Sequence, residues 1–341
     1  MQDGLTIVGA PGSPYSRKLR SVLRYRRIPY VWVQYGSQAD RDLPQTRVAI
    51  LPRLVFPDPA GGPGEPAVDS TPLIRRLEVE YAGRSVIPPD PALAFLDALL
   101  EDFADEWVTK LMFHYRWAFP PDVAKAAAVL PRWNRVDLPE AEQREAGRLF
   151  AERQVGRLFV VGSNETTAPV IEASYRRLLD LVDALLAEQP YLMGRRPGAS
   201  DFALFGQLTQ LTGFDPTPSA LALERAPRVL AWVDVMEDLS GTPVQDDQWC
   251  AAEPTQAQRA LLGEVGRCYA PFLLANAAAL SRGDAQVECE IDGRKWRQQP
   301  FPYQGKCLGW LREGYAALVP GDRARVDAAL QGTGCEVLFA A

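Results

Sequence analysis

Three short segments near the start of the chain place chemistry-bearing residues at turns. The first is Ser13-Pro14-Tyr15-Ser16, which follows the apolar run Leu5 to Ala10. A serine ahead of a proline suits a helix start, where its hydroxyl sits among unpaired backbone N–H groups at the positive end of the helix dipole. That place favours an anion such as a thiolate, and a hydroxyl that donates to a thiol favours its deprotonated form. The plainer reading of Ser13 is a helix cap. The second segment is Ile50-Leu51-Pro52. Proline removes one N–H and can hold a cis bond, turning the Leu51 backbone outward where an extended peptide could pair with it. The plainer reading is a proline at a strand start. The third is Asp69-Ser70, ahead of an amphipathic run. A helix N-terminus with a serine hydroxyl suits a carboxylate, and Asp69 could accept from an α-amino group, so the pair fits the zwitterionic head of a γ-glutamyl peptide. The plainer reading is a capping pair.

The elements that must position these residues follow from pattern. Leu5 to Ala10 reads as a short buried strand and Tyr30 to Tyr35 as a second, by β-branched and aromatic content. Tyr15, Leu19, Val22 and Leu23 form one helical stripe, with Arg17, Lys18, Arg20 and Arg24 mostly off it. Residues 36–49 are loosely patterned, with room for a short helix. Pro52 to Phe56 is a third strand, the Gly-rich stretch 57–66 a loop, and Ala67-Val68 a return strand. A helix then runs from Asp69 to Tyr81, with Leu73, Ile74, Leu77 and Tyr81 inward, and Gly83 ends it. The order is β-α-β-(α)-β-β-α, followed by a Pro-rich linker over 84–91. Beyond it the spacing predicts an all-helical segment: one long helix over 92–117, then helices over 139–160, 170–188, 202–212 and 219–239, the last interrupted near Pro227. Residues 255–281 read as helix, 287–297 as a hairpin around Asp292-Gly293, and 305–318 and 321–331 as closing helices.

Three such segments in this order on these elements resemble the glutathione transferase superfamily. The resemblance implies an α/β thioredoxin-like, glutathione-binding domain (1–83), an all-α domain (92–249) and, outside the family pattern, a small α+β extension (250–341) that packs on the helical domain. It implies that Ser13 meets the glutathione sulfur as the catalytic residue and that Tyr15 beside it also binds glutathione. Leu51, ahead of Pro52, would pair with the cysteinyl backbone, and Asp69-Ser70, where the family usually has Glu-Ser, would hold the γ-glutamyl end. The Ser-Pro-Tyr form is similar to serine-type, tau-like classes. Further on, Tyr191-Leu192-Met193-Gly194 and Arg196 to Phe202 resemble the capping-box motif of the family's helical domain, with Gly198 in place of Ser/Thr and Asp201 at the third helical position. Gln45-Thr46-Arg47-Val48-Ala49 departs from the common Asn-Pro-x-Gly-Lys form. In the family a second substrate lies between the domains. Here Phe103, Trp107, Lys110 and His114 share one face of the 92–117 helix as its expected aromatic wall with a polar floor; core packing is the plainer reading of each.

Composition agrees with a globular protein: 47% of residues are hydrophobic and the net charge is -6. An acidic chain does not suit general nucleic-acid binding. The first 90 residues carry 12 Lys/Arg against 9 Asp/Glu, a mildly basic segment that suits a small anionic ligand. All five cysteines lie beyond residue 249 without paired metal-ligand spacing, and His114 is the only histidine, so neither a disulfide scaffold nor a metal site is expected. No signal-like or membrane-spanning stretch is read, and a cytoplasmic protein is expected. The resemblance implies glutathione as co-substrate, a small hydrophobic or electrophilic second substrate, a detoxification role and a homodimer, with no nucleic-acid or membrane partner. The alternative is a catalytically weak transferase-fold binding protein that uses the extension for a partner. Trp296, Tyr303, Trp310 and Tyr315 of the extension are expected first to cover the helical domain, with capping the pocket or forming a dimer surface as other options.

Overall fold

The computed structural model describes residues 4–340. The first domain runs β1 (Leu5–Gly9), α1 (Pro14–Tyr25), β2 (Tyr30–Gln34), α2 (Gln38–Arg41), β3 (Arg53–Phe56), β4 (Glu65–Val68) and α3 (Ser70–Glu80). Its sheet has the order β2-β1-β3-β4. β1 pairs parallel with β2 and antiparallel with β3, with Ile7 opposite both Trp32 and Leu54. β4 returns antiparallel on β3. Leu5, Ile7, Val8 and Leu54 are buried, as are Leu19, Val22 and Leu23 of α1 and Leu73, Ile74 and Leu77 of α3. The element order is the one read from the sequence pattern, and the arrangement is the thioredoxin-like one that the resemblance implies. The short helix in 36–49 is α2, capped by Ser37. The 84–91 linker is tied down by Arg84, which donates to the Thr242 carbonyl at 2.8 Å and the Leu239 carbonyl at 3.0 Å.

The helical domain contains α4 (Pro91–Glu106), α5 (Val108–Ala118), α6 (Pro120–Val129), α7 (Glu140–Val155), α8 (Ala168–Glu188), α9 (Ala199–Leu208), α10 (Pro216–Arg225) and α11 (Pro227–Met236). Several boundaries differ from the pattern-based expectation. The single helix over 92–117 is two helices, broken at Trp107, where the Lys110 N–H bonds back three residues to the Trp107 carbonyl. The helix expected over 139–160 stops at Val155, and Leu158–Val161 forms a separate 3₁₀ turn. α9 widens into a π turn over Thr209–Phe214, where the Thr209 and Thr212 hydroxyls donate to the carbonyls of Gly206 and Leu208. Pro227 does separate two helices.

Beyond residue 250 the chain forms α12 (Gln256–Glu264), α13 (Ala270–Arg282), the hairpin β5 (Val287–Ile291) and β6 (Arg294–Gln298), α14 (Pro302–Ala317) and α15 (Pro320–Leu330). Their aromatic residues share one core with the helical domain. The Trp107 ring lies 5.3 Å from Trp296 and 6.3 Å from Phe272 between centroids. Among the described residues, no helix is long and apolar enough to cross a membrane.

Candidate functional site: a cleft between the three parts of the chain

A cavity of about 1430 Å³ lies where the thioredoxin-like domain, α4–α5 and the extension meet. It exceeds the roughly 300–1,000 Å³ of ordinary small-molecule pockets. Ser13, Tyr15, Leu51, Asp69 and Ser70 all line it, and Pro52 is buried behind Leu51. The three sequence segments therefore converge on one space.

Ser13 caps α1 with extended backbone, and its Oγ accepts from the Ser16 N–H at 3.2 Å. Among the described residues no acceptor takes the Ser13 hydroxyl proton, so it can be donated into the cavity. The loop before it is fixed from three directions. Arg17 and Gln210 both donate to the Pro11 carbonyl, and Arg116 donates to the Gly12 carbonyl at 3.1 Å while forked onto Asp215. α9 lies against this turn so closely that a Cβ at Gly206 would come within 2.5 Å of the Pro14 carbonyl. Glycine is thus a packing requirement there.

The Leu51–Pro52 peptide is cis, with Leu51 half-buried at the cavity edge. Asp69 occupies the left-handed region with φ of 81°, and its side chain makes no cap bond to α3. The carboxylate Oδ2 instead accepts from the Tyr303 hydroxyl of α14 at 2.7 Å. Ser70 opens α3 and is buried. Tyr15 is anchored by donating its hydroxyl to the Asp105 carbonyl at 2.8 Å, and burial, then the Glu106 and Asp105 charges, hold its phenol protonated.

The second-substrate wall departs from the helical-face expectation. Lys110 lines the cavity, but Phe103, Trp107 and His114 do not. Phe103 and Trp107 are fully packed, and Trp107 donates its indole N–H to Ser174 at 2.9 Å. His114 pairs its Nδ1 with the Ser163 hydroxyl at 2.8 Å, and burial lowers its pKa. On the face chosen by periodicity, Phe103 and Trp107 meet the extension at Tyr269, Phe272 and Trp296, His114 packs within the helical domain against Phe119, and Lys110 alone reaches the cleft. Among the extension aromatics, Tyr303 and Trp310 line the cavity, Trp296 is buried on the helical domain, and Tyr315 stacks on Phe339. Three of the five cysteines are buried and Cys250 and Cys289 are half-buried.

Sequence reasoning missed the ionisable row on α4. Asp97, Glu101 and Asp105 recur every four residues, with Asp102 and Glu106 beside them, and all five are buried or nearly so. Lys18, fully buried, donates to Glu101 at 2.8 Å and Asp105 at 2.5 Å, and Arg75 meets the other Glu101 oxygen. Burial alone would raise Glu101, but Arg75 and Lys18 outweigh it and hold it low. Asp102 is pushed up to about 7 by burial, against the Tyr269 hydrogen bond. Glu106 is pushed up to about 8 by burial, then by Asp102 and Asp105. Lys110 is lowered to about 7 by burial, with Glu106 opposing. The i, i+4 run of acids was visible in the sequence; its inward direction was not, because acidic stripes ordinarily face water.

Two domain models match the chain: the N-terminal domain of glutathione S-transferase over residues 7–85 and the C-terminal domain over residues 126–234. Together with the fold and the converged segments, they establish that the chain belongs to the glutathione transferase superfamily. The extension lies beyond both matches. Among solved structures, a GST-like protein from Pseudomonas syringae is 16% identical, over 69% of this chain and 67% of that one, with a TM-score of 0.41. FzlA from C. crescentus is 17% identical, over 73% and 97%, with a TM-score of 0.42. The tau class glutathione S-transferase from mango is 18% identical, over 73% and 96%, with a TM-score of 0.41. A search of curated proteins gives no match.

Proposed function

We propose that the protein binds glutathione in this cleft, lowers the pKa of its thiol through Ser13, and delivers the thiolate to a small electrophile in the space beside Trp310. The observation that carries this reading is the uncommitted proton of Ser13 at the N-terminus of α1, on the same cavity wall as Leu51 and Asp69-Ser70. The hydroxyl and the helix end both favour the anionic sulfur. Leu51 offers backbone pairing to the cysteinyl unit, Ser70 and the α3 N-terminus receive the γ-glutamyl carboxylate, and Asp69 receives the amino group. Conjugation then needs no protein nucleophile. The thiolate sulfur attacks the electrophilic carbon, its lone pair forms the new S–C bond, and the leaving group departs with the bonding pair. Positioning both molecules supplies much of the rate.

The acidic row on α4 bears on this mechanism, because negative charge near a thiolate opposes its formation. Asp102 at about 7 and Glu106 at about 8 retain protons over much of the neutral range, and Lys18 and Arg75 offset Asp105 and Glu101. The repulsion therefore grows above neutrality, and it makes the rise of the thiolate with pH more gradual than for an isolated thiol.

Titration calorimetry with glutathione, paired with a thiol-conjugation assay, tests the reading. Ser13→Ala is expected to lower kcat/KM about 10- to 100-fold, the scale of one charge-assisted hydrogen bond, while glutathione affinity changes less than about threefold. Glutathione binding without turnover in the wild type would leave a binding protein, and absence of binding would reject the site.

A further inference from the structure

We propose that Tyr303, carried by the C-terminal extension, is a positioning residue of the γ-glutamyl subsite, holding the Asp69 carboxylate in place for the α-amino group of the bound peptide. The inference rests on the glutathione reading above and goes beyond it, since neither matched domain reaches α14.

Asp69 stands at the cap position of α3 but does not cap it. Its backbone is held at a φ of 81°, a conformation that is costly for a residue with a side chain. Among the described residues, the only hydrogen-bond partner of its carboxylate is the Tyr303 hydroxyl, 2.7 Å from Oδ2 and 234 positions away in sequence. Oδ2 is thus engaged, and Oδ1 is left for a ligand donor. The phenol is a dependable donor because burial, then Asp69 itself, raises its pKa.

Tyr303 is itself fixed from both sides. Asn276 brackets Phe301, donating to its carbonyl at 3.0 Å and accepting from its N–H at 2.8 Å. Gln304 donates to the Glu106 carbonyl at 3.0 Å and to Glu106 Oε2 at 2.9 Å. The ring stands edge-on to Trp310, with centroids 6.0 Å apart and an interplanar angle of 87°. Phe301, Tyr303 and Gln304 all line the cavity. The extension therefore delivers a pre-set hydroxyl to Asp69. Such anchoring keeps the carboxylate orientation fixed before the ligand arrives, which lowers the ordering cost of binding.

The test uses the full chain and two ligands: glutathione, and its analogue with glutarate in place of γ-glutamate, which lacks only the amino group. Wild type is expected to bind glutathione at least about tenfold more tightly than the analogue, since the analogue leaves Asp69 unpaired. In Tyr303→Phe, which keeps the ring against Trp310, glutathione affinity is expected to fall about 5- to 50-fold. Analogue affinity should change less than about twofold, so the preference collapses. Asp69→Asn should behave alike, whereas Ser70→Ala should weaken both ligands equally. Equal losses for both ligands in Tyr303→Phe would mean a merely structural role and overturn the proposal. An unchanged preference would overturn it too, and tighter glutathione binding would make Tyr303 a competitor for Asp69 instead. In each of these cases the wild type still binds glutathione, whereas wild type that binds neither ligand rejects the glutathione reading itself.

Discussion

Ser13 caps α1 through its oxygen, which leaves the hydroxyl proton for a ligand. The helix start at Ser13 was legible in the sequence, because a serine before a proline after a strand suits an N-cap. The same holds for the strand start after Leu51-Pro52 and the helix start at Asp69-Ser70. The partners of these residues were not legible: Tyr303 meets Asp69 only through tertiary folding, and Lys18 looked like one more solvated charge of α1. The buried carboxyls have a consequence for stability. Glu106 keeps its proton to about pH 8, whereas the unfolded chain releases it near about 4.3. Between those values the folded state binds more protons than the unfolded state, so this group makes stability fall as pH rises. Glu106→Gln removes that term and can still accept from Gln304. Urea unfolding at pH 5 and pH 7.5 is expected to show little difference at the lower pH and a variant more stable by about 1–3 kcal/mol at the higher. An equal offset at both values would count against a proton held by Glu106.

Most helices followed from periodicity, but α6 was not read from it, and helix limits and faces were not legible either. α4 and α5 read as one helix because the apolar spacing runs unbroken through Trp107, the residue at which the structure breaks it and whose indole is bound by Ser174 and packed among Tyr269, Phe272 and Trp296. With extension, cleft and neighbouring helices all covering α4 and α5, periodicity could not tell which face met which: Phe103 and Trp107 pack on the extension and His114 within the helical domain. The capping motif was clearer. The Asp201 carboxylate accepts from the N–H groups of Gly198 and Leu192, each at 2.8 Å. Gly198 replaces the usual Ser/Thr because a Cβ there would sit 2.3 Å from Asp97 Oδ1, the oxygen that receives the Ser200 hydroxyl. At this element the expected outcome is that Asp201→Ala strands two buried N–H groups and costs about 2–4 kcal/mol. Thermal unfolding would check it, and a loss below about 1 kcal/mol would contradict the assigned role.

At the scale of the whole molecule, the extension, which lies beyond both matched domains, shares one core with the helical domain and supplies one wall of the cleft. Trp296 is buried against Trp107 and Phe272, so Trp296→Ala is expected to cost about 3–5 kcal/mol. Because this cluster joins the extension to α4 and α5, tryptophan fluorescence and far-ultraviolet dichroism should report one coincident unfolding transition; two separated transitions would mean that the extension folds apart. The outline of the extension, helices around an Asp-Gly hairpin, was legible from turn chemistry. Its docking was not, since nothing in a local pattern says which surface receives Trp296 or Tyr303. The central claim is that Ser13 stabilises a glutathione thiolate in the cleft between these parts. The ultraviolet thiolate absorbance of bound glutathione, followed against pH in wild type and Ser13→Ala, tests it most directly. In wild type the thiolate should form clearly below the ordinary thiol value of about 8.5 and in Ser13→Ala close to it; the same ionisation in both proteins would contradict the account.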